Sequence, residues 1–295
     1  MLDFKAVKFN DKNEIEPFLQ SSPYQICNFS FVNLIIWGDI FSPMYVIDNE
    51  MIVFLSQIEG QKYFNFPIGK GNVEPVLEKM MQYAKEQNID FQMINITEEM
   101  KSTLETIFPS RFIFDYSDDY SDYLYKMEDL CYLKGKKYQP KRNHINNFKK
   151  NYNYSYNQLT INDIEECLEM HEVWQSEHCS RINYMLEKEF CATRKALLNL
   201  NALELKGGVL RIDNQVVAFT LGYKLNSNTF DVCIEKALSQ YNGAYQVINQ
   251  MFVSQQLTDF EYINREEDLG NEGLRKAKQS YYPYKMLKKY IAKLK

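Results

Sequence analysis

Residues 259–270 read DFEYINREEDLG, and residues 90–100 read DFQMINITEEM. Asp90, Phe91, Ile94, Asn95 and Glu98 recur as Asp259, Phe260, Ile263, Asn264 and Glu267 at one offset of 169 residues. A repeat at a fixed offset predicts one supersecondary unit built twice, provided that the surrounding elements recur in the same order. They do. MYVIDNEMIVFLSQ (44–57) and GVLRIDNQVVAFTLG (208–222) each hold two alternating apolar runs, joined at Asp48-Asn49 and at Asp213-Asn214. Asp and Asn tolerate positive φ, so both stretches predict tight β-hairpins. A further strand follows each hairpin, KYFNFPI (62–68) and NTFDVCIEKA (228–237). Next come the amphipathic helices VEPVLEKMMQYAKEQ (73–87) and AYQVINQMFVSQQL (244–257), then the duplicated strand, a second helix and a last strand.

The two halves are joined by KGKKYQPKRNHINNFKKNYNYSYNQL (134–159). Pro140 suits the first turn of a helix running to about Lys150, and the tyrosine alternation after it predicts a strand. Thr160-x-x-Asp163 forms a weak capping box for a helix through Trp174, and NYMLEKEFCATRKALLNL (183–200) predicts another. Helices, an antiparallel meander, a helix and a returning strand describe an α+β layer. The order is that of the acyl-CoA N-acyltransferases. The expected architecture is therefore two tandem acyltransferase-like domains, each a mixed, mostly antiparallel sheet flanked by helices. Their expected bounds are residues 1–130 and 159–295, with a basic helix-and-strand linker over 131–158.

The bulk composition bounds the function. The chain has 295 residues, 45% apolar and 25% charged, long enough for about two domains without a metal or disulfide staple. The six cysteines (27, 131, 167, 179, 191, 233) form no C-x-x-C pair and are expected to be reduced. The N-terminus shows no signal peptide and no apolar run approaches a membrane span, which predicts a soluble, cytoplasmic protein. The net charge of −5 conceals an asymmetry. Residues 130–162 hold no acid but seven Lys/Arg, and the chain after Glu272 holds none but eight. A basic segment is often only a solvated face, but two of them in an acidic chain suggest a surface that meets an anion, such as phosphate, nucleic acid or a lipid headgroup.

The strings GKKYQPKRNHINNF (135–148) and INREEDLGNEGLRKAKQSYYPYKMLKKY (263–290) resemble a bacterial family related to the catalytic C-terminal domain of phosphatidylglycerol lysyltransferase. The resemblance covers essentially the whole chain and implies two acyltransferase-like domains in tandem. It also implies a transferase that moves an acyl or aminoacyl group from a thioester or aminoacyl-tRNA donor to an amine or hydroxyl acceptor, a lipid or membrane-surface acceptor among them. It further draws Lys141, Arg142 and Asn143 toward a site between the domains.

Where the copies differ, the second gains charge. Ile96, Thr97, Thr103 and Thr106 of the first copy become Arg265, Glu266, Glu272 and Arg275. The second copy is thus expected to bear the site and the first to be structural. Acyl transfer to an amine needs an anchored donor, a base and oxyanion stabilisation. Glu235 and Glu267 are the candidate bases and Tyr281 the proton donor to the leaving group. Gln240, Gly243, Arg265, Arg275 and Lys278 are the candidate donor-binding residues; Lys141, Arg142, Asn143 and Asn264 are expected around the anion. QYNGAY (240–245) only partly matches a backbone pyrophosphate cradle, because Tyr245 stands where a small residue is needed. Acyl-CoA therefore remains one donor and aminoacyl-tRNA the other, with the basic linker and its tyrosines as the surface for the latter. No metal is expected, since His171 and His178 lie two helical turns apart. DYSDDYSDYLY (115–125) is expected to be an exposed loop entering a strand. The alternative to a transferase is a non-catalytic anion-binding protein that retains the fold.

Overall fold

The computed structural model of the chain describes residues 2–178 and 184–295; Cys179 lies outside them. In chain order the first elements are β1 (Lys5–Ala6), α1 (Lys12–Gln20), α2 (Phe31–Ile36), α3 (Gly38–Phe41), β2 (Met44–Asp48), β3 (Met51–Ile58), β4 (Gln61–Asn65), β5 (Ile68–Gly69), α4 (Val73–Glu86), β6 (Gln92–Ile96), α5 (Glu98–Ile107), β7 (Phe112–Tyr116) and β8 (Asp122–Lys126). There follow α6 (Met127–Tyr132), α7 (Gln139–Asn151), β9 (Tyr154–Gln158), α8 (Ile164–His178), α9 (Tyr184–Leu198), β10 (Lys206–Ile212), β11 (Gln215–Lys224), β12 (Thr229–Ala237), α10 (Ala244–Gln256), β13 (Tyr262–Asn264), α11 (Glu272–Gln279), β14 (Lys285–Leu287) and β15 (Tyr290–Leu294).

The repeat read from the sequence is present in the sheets. One runs β1-β2-β3-β4-β6-β15-β7 with β5 on β3, and the other β9-β10-β11-β12-β13-β8-β14. Strand for strand the orders match, and β4–β6 and β12–β13 are the parallel pairs. Chain order is broken at one corresponding place in each: β15 from the C-terminus lies beside β6, and β8 from the first half lies beside β13. A strand in these positions covers what would otherwise be an open sheet edge. Two compact units result. The first is Met1–Tyr123, Glu267–Lys276 and Met286–Lys295; the second is Leu124–Glu266 and Ala277–Lys285. The expected bounds at 130 and 159 follow the chain; the units do not, because strand pairing ignores sequence order.

Local chemistry explains the elements. Both hairpins turn through two residues of positive φ, Asn49 and Glu50 (50° and 58°) and Asp213 and Asn214 (48° and 67°). These turns carry the twist of the flanking strands; the first is centred one residue beyond the expected Asp48-Asn49. The Asn72 side chain accepts the Glu74 amide to open α4, whose buried face is Val76, Leu77, Met80 and Ala84. Pro140 occupies the first turn of α7, which buries Lys141, Ile145 and Phe148 and ends in Lys149 and Lys150. The core of the first unit includes Phe4, Phe64 and Tyr83, with Phe64 stacked on Phe91 at 5.2 Å. In the second unit, Phe230 packs edge-on against Phe252 of α10 at 5.8 Å.

Candidate functional site

The second unit opens its sheet at one place. β12 pairs with β13 only from Thr229↔Tyr262 to Asp231↔Asn264. β12 then continues to Ala237 along β11, while the other chain leaves the ladder at Arg265. Alternation along β12 turns Glu235 toward α10 and Lys236 toward α8 and α9. Glu235 Oε1 accepts Arg265 Nη2 at 2.9 Å across the opening, and its Oε2 accepts Asn249 Nδ2 of α10 at 3.0 Å. The Arg265 guanidinium lies over the Tyr281 ring at 5.0 Å and near that of Tyr125 at 5.8 Å. Lys141 Nζ of α7 lies over the same Tyr281 ring at 4.0 Å. Tyr138 donates to the Tyr281 carbonyl at 3.0 Å, and Lys278 Nζ donates to the Arg265 carbonyl at 2.6 Å, which fixes both backbone segments.

Two polar atoms of this cluster are buried without a partner: Arg265 Nη1, a donor, and Asn249 Oδ1, an acceptor. Lys141 is 9% exposed and has no hydrogen-bonding or carboxylate partner among the described residues. Burial pushes its ammonium down to about 8, and Arg265 adds to this while Glu235 opposes it. Burial also works against the Arg265 charge, but Glu235, Tyr125 and Tyr281 outweigh it and raise its pKa. The Tyr281 phenol is raised by burial, against the lowering effect of Arg265, so it stays protonated. The arrangement offers a protonated phenol, a guanidinium with one free fork and an uncompensated amine around a held carboxylate. An oxygen-rich or anionic group satisfies these donors.

The sequence candidates thus separate. Glu235, Arg265, Tyr281, Lys141 and Lys278 come together. Glu267 does not join them: it lies in the first unit, paired with Lys289 and near Cys27 Sγ (3.7 Å). Arg275 is also in the first unit, gripped by Asp268 (2.7 and 2.8 Å) and Asp119 (2.5 Å), which leaves it a structural clamp rather than a donor ligand. Arg142 is spent on its own loop, donating to the carbonyls of Leu133 and Gly135 and to Gln139 Oε1. Asn143 is exposed and accepts Gln139 Nε2. Asn264 is buried and caps the turn by accepting the Glu266 amide at 2.6 Å.

Gln240 and Gly243, expected to bind the donor, lie in different surroundings. Gln240 is exposed. Gly243 has φ +95°, and a Cβ there would meet the His144 carbonyl oxygen of α7 at 2.8 Å, so packing alone demands glycine. The Ser239 amide and hydroxyl already donate to Glu177, and the Ala244 amide to the Tyr241 carbonyl. Tyr245 accepts Trp174 Nε1 at 3.0 Å. In the first unit the position equivalent to Arg265 is Ile96, fully buried and paired with Tyr290, and the Thr97 hydroxyl caps α5. That copy has no ionisable group there.

Some residues of consequence were not read from the sequence. Asn249 follows no motif, and only its place on the α10 face opposite β12 identifies it. Asp122, expected in an exposed loop, is fully buried and pairs with Lys289 at 2.7 Å beside Asn28 and Cys27. Cys27, Asp122 and Glu267 bring metal-type ligand atoms within 4.8 Å of one another, but the Lys289 ammonium already sits among them as the cation. His171 is buried, stacked on Phe190 at 4.6 Å and pushed down to about 4 by burial, so it is a neutral core residue; the His178 side chain is not among those described. Among the described residues no helix is long and apolar enough to cross a membrane.

Comparison with known proteins places the fold and the family. A conserved protein of unknown function from Bacteroides thetaiotaomicron VPI-5482 is 39% identical over 100% of both chains, with a TM-score of 0.96. The structure of L-PGS from Bacillus licheniformis superposes with a TM-score of 0.66 over 96% of this chain and 92% of that one, at 14% identity. FemX shares the fold at 9% identity, with a TM-score of 0.59 over 98% and 97% of the two chains. The fold is thus the tandem acyltransferase-like α+β fold expected from the order of elements. The family described as phosphatidylglycerol lysyltransferase, C-terminal, matches residues 20–293, and the chain belongs to it.

Proposed function

We propose that the protein is an acyl-group transferase whose site is the opening between β12 and β13, and that its donor is an aminoacyl ester such as an aminoacyl-tRNA. The observation that carries this reading is the pairing of unsatisfied groups in the second unit. Arg265 Nη1 and Lys141 present positive charge with no acceptor, and Asn249 Oδ1 beside Glu235 presents an acceptor with no donor. An α-aminoacyl ester carries both complements: a carbonyl oxygen for the cations and an ammonium for the carboxylate and amide. As the carbonyl becomes tetrahedral its oxygen gains charge, which the Arg265 fork stabilises more strongly than the ground state. Tyr281, held protonated, supplies a proton to the departing oxygen. The acceptor is a hydroxyl or amine, and membership of a phosphatidylglycerol lysyltransferase family points to a lipid headgroup. The amides of Ser239, Tyr241 and Ala244 are already bonded, which favours this donor over acyl-CoA, whose pyrophosphate needs free amides.

A second reading, a non-catalytic anion binder, is favoured by Glu235, both of whose oxygens are already engaged. The test incubates the protein with radiolabelled aminoacyl-tRNAs and phosphatidylglycerol vesicles, with acetyl-CoA as a parallel donor. Label should pass from the tRNA ester to the lipid fraction, and Arg265→Lys, which keeps the charge but loses the fork, should slow transfer ~100-fold. Transfer from acetyl-CoA alone would overturn the choice of donor. Binding of aminoacyl-tRNA without transfer to any acceptor would establish the second reading instead.

A further inference from the structure

Lys141 has chemistry beyond the binding of an anion. Its stem is buried on α7, its Nζ rests 4.0 Å above the Tyr281 ring, and no acid or hydrogen-bond acceptor among the described residues holds it. The charged groups that face it are Arg265 after β13 and Glu235 on β12, with the Tyr281 phenol beside it. Arg265 repels the ammonium, and Glu235 is bonded through both oxygens to Arg265 and Asn249. On its own helix Arg142 is turned to the carbonyls of Leu133 and Gly135, and nearby Lys137 lies over Tyr138 and Tyr282. The unpartnered Arg265 Nη1 belongs to the same cluster, where a carbonyl oxygen undergoing attack by Nζ would need a donor.

We propose that Lys141 is a site of self-acylation, at which the free amine takes the acyl group of a small activated donor, a thioester or an aryl ester. The Nζ lone pair attacks the carbonyl carbon, and the oxygen takes up the electron pair facing Arg265. When the adduct collapses, the carbon–sulfur or carbon–oxygen bond to the leaving group breaks. The thiolate or phenolate leaves with that pair, and the ammonium proton passes to solvent. The product, an Nε-acyl-lysine, is an unactivated amide and does not pass the group on. It removes one positive charge from the cluster of Lys141, Arg265 and Glu235, so the modification weakens the site's hold on an anion.

The amine is suited to this at neutral pH. With its pKa near 8, about a tenth of Lys141 is neutral at pH 7. An exposed lysine of ordinary pKa is ~0.03% neutral there, a ~300-fold difference, part of which the lower basicity gives back. The inference rests on the placement of Nζ over the Tyr281 ring, in one cluster with the unpartnered Arg265 Nη1, and is independent of the donor proposed above.

The test exposes the wild-type protein separately to p-nitrophenyl acetate and to acetyl-CoA between pH 6.5 and 10, and maps acetylation by peptide mass spectrometry. Lys141 should be labelled at pH 7 at least ~10-fold faster than exposed lysines such as Lys62 and Lys150, with a rate midpoint near pH 8. Glu235→Gln, checked for folding by circular dichroism, should move that midpoint lower, because Glu235 supports the ammonium. Labelling of Lys141 no faster than of exposed lysines, or a midpoint above pH 10, overturns the proposal. Neither result bears on transfer from aminoacyl-tRNA to an acceptor, so the two readings fail separately.

Discussion

The Arg265–Glu235 pair permits a sharp prediction, because its two halves are not equivalent. Both side chains are nearly buried, 11% and 12% exposed. Removing one partner of a buried pair leaves the other charge uncompensated, at a cost of roughly 3–5 kcal/mol. Glu235→Gln should bear that full cost, since it leaves Arg265 and Lys141 facing each other with no carboxylate between them. Arg265→Met should cost less. Glu235 retains the Asn249 hydrogen bond, a contact to a charged group that contributes ~1.5–3 kcal/mol, and Lys141 already interacts with it electrostatically and can take over as counter-ion. The expected gap between the variants is about 2 kcal/mol. The assay is urea unfolding followed by fluorescence. The two tryptophans are Trp37 and Trp174, so in a Trp37→Phe background the signal comes from Trp174 of the second unit. With a slope of ~1–3 kcal/mol per molar urea, the midpoints should differ by about 1 M. An Arg265→Met midpoint equal to or below that of Glu235→Gln would refute the argument that Lys141 serves as the reserve counter-ion.

Further outcomes follow from the same geometry. Lys141→Met removes a buried, unpaired cation and should stabilise the second unit at pH 7 by roughly 1 kcal/mol or more while weakening anion binding. Because the folded pKa of Lys141, about 8, lies below the unfolded value near 10.5, the native state binds fewer protons in that interval. Wild-type stability relative to Lys141→Met should therefore rise between pH 8 and 10.5 and stay level below pH 8; a relative loss on raising the pH would contradict the assignment. In the first unit, Lys289→Met strands Asp122 and Glu267 and should cost ~3–5 kcal/mol, read from Trp37 in a Trp174→Phe background; Asp122→Asn added to it should recover part of the loss. Burial alone would lower the Lys289 pKa, but Asp122, Cys27 and Glu267 raise it well above the ordinary lysine value. Its contribution is then complete at neutral pH and lost only as the pH rises through that raised value. Gly243→Ala should cost ~1–3 kcal/mol in thermal or urea unfolding, with no anion present, because both the positive φ and the His144 carbonyl oppose a Cβ. An unchanged midpoint would return Gly243 to a binding role.

Much of the fold could be read from the chain because its signals are local. Alternation marked the hairpin strands, Asp-Asn pairs marked their turns, Pro140 and Thr160-x-x-Asp163 marked helix starts, and the 169-residue echo announced the repeat. Apart from the echo, each depends on residues within a turn or two of one another. Of the clustered residues, Arg265 lay in the segment that gained charge, Glu235 and Tyr281 were candidates by their chemistry, and Lys141 came from the family resemblance; the fold brings the four together. The partner Asn249 was not, because an amide on a helix face carries no motif.

Tertiary structure decided what pairs with what. The REED run, residues 265–268, looks like one charged constellation in the sequence. In the fold Arg265 goes to Glu235 in the second unit, while Glu267 meets Lys289 and Asp268 meets Arg275 in the first. The chain passes from one unit to the other between Glu266 and Glu267, at a turn where Glu266 adopts φ 53°. The exchange of β8 and β15 has the same origin. Which strand completes a sheet is set by backbone hydrogen bonds and buried side chains distant in sequence, and no local pattern of residues encodes that choice.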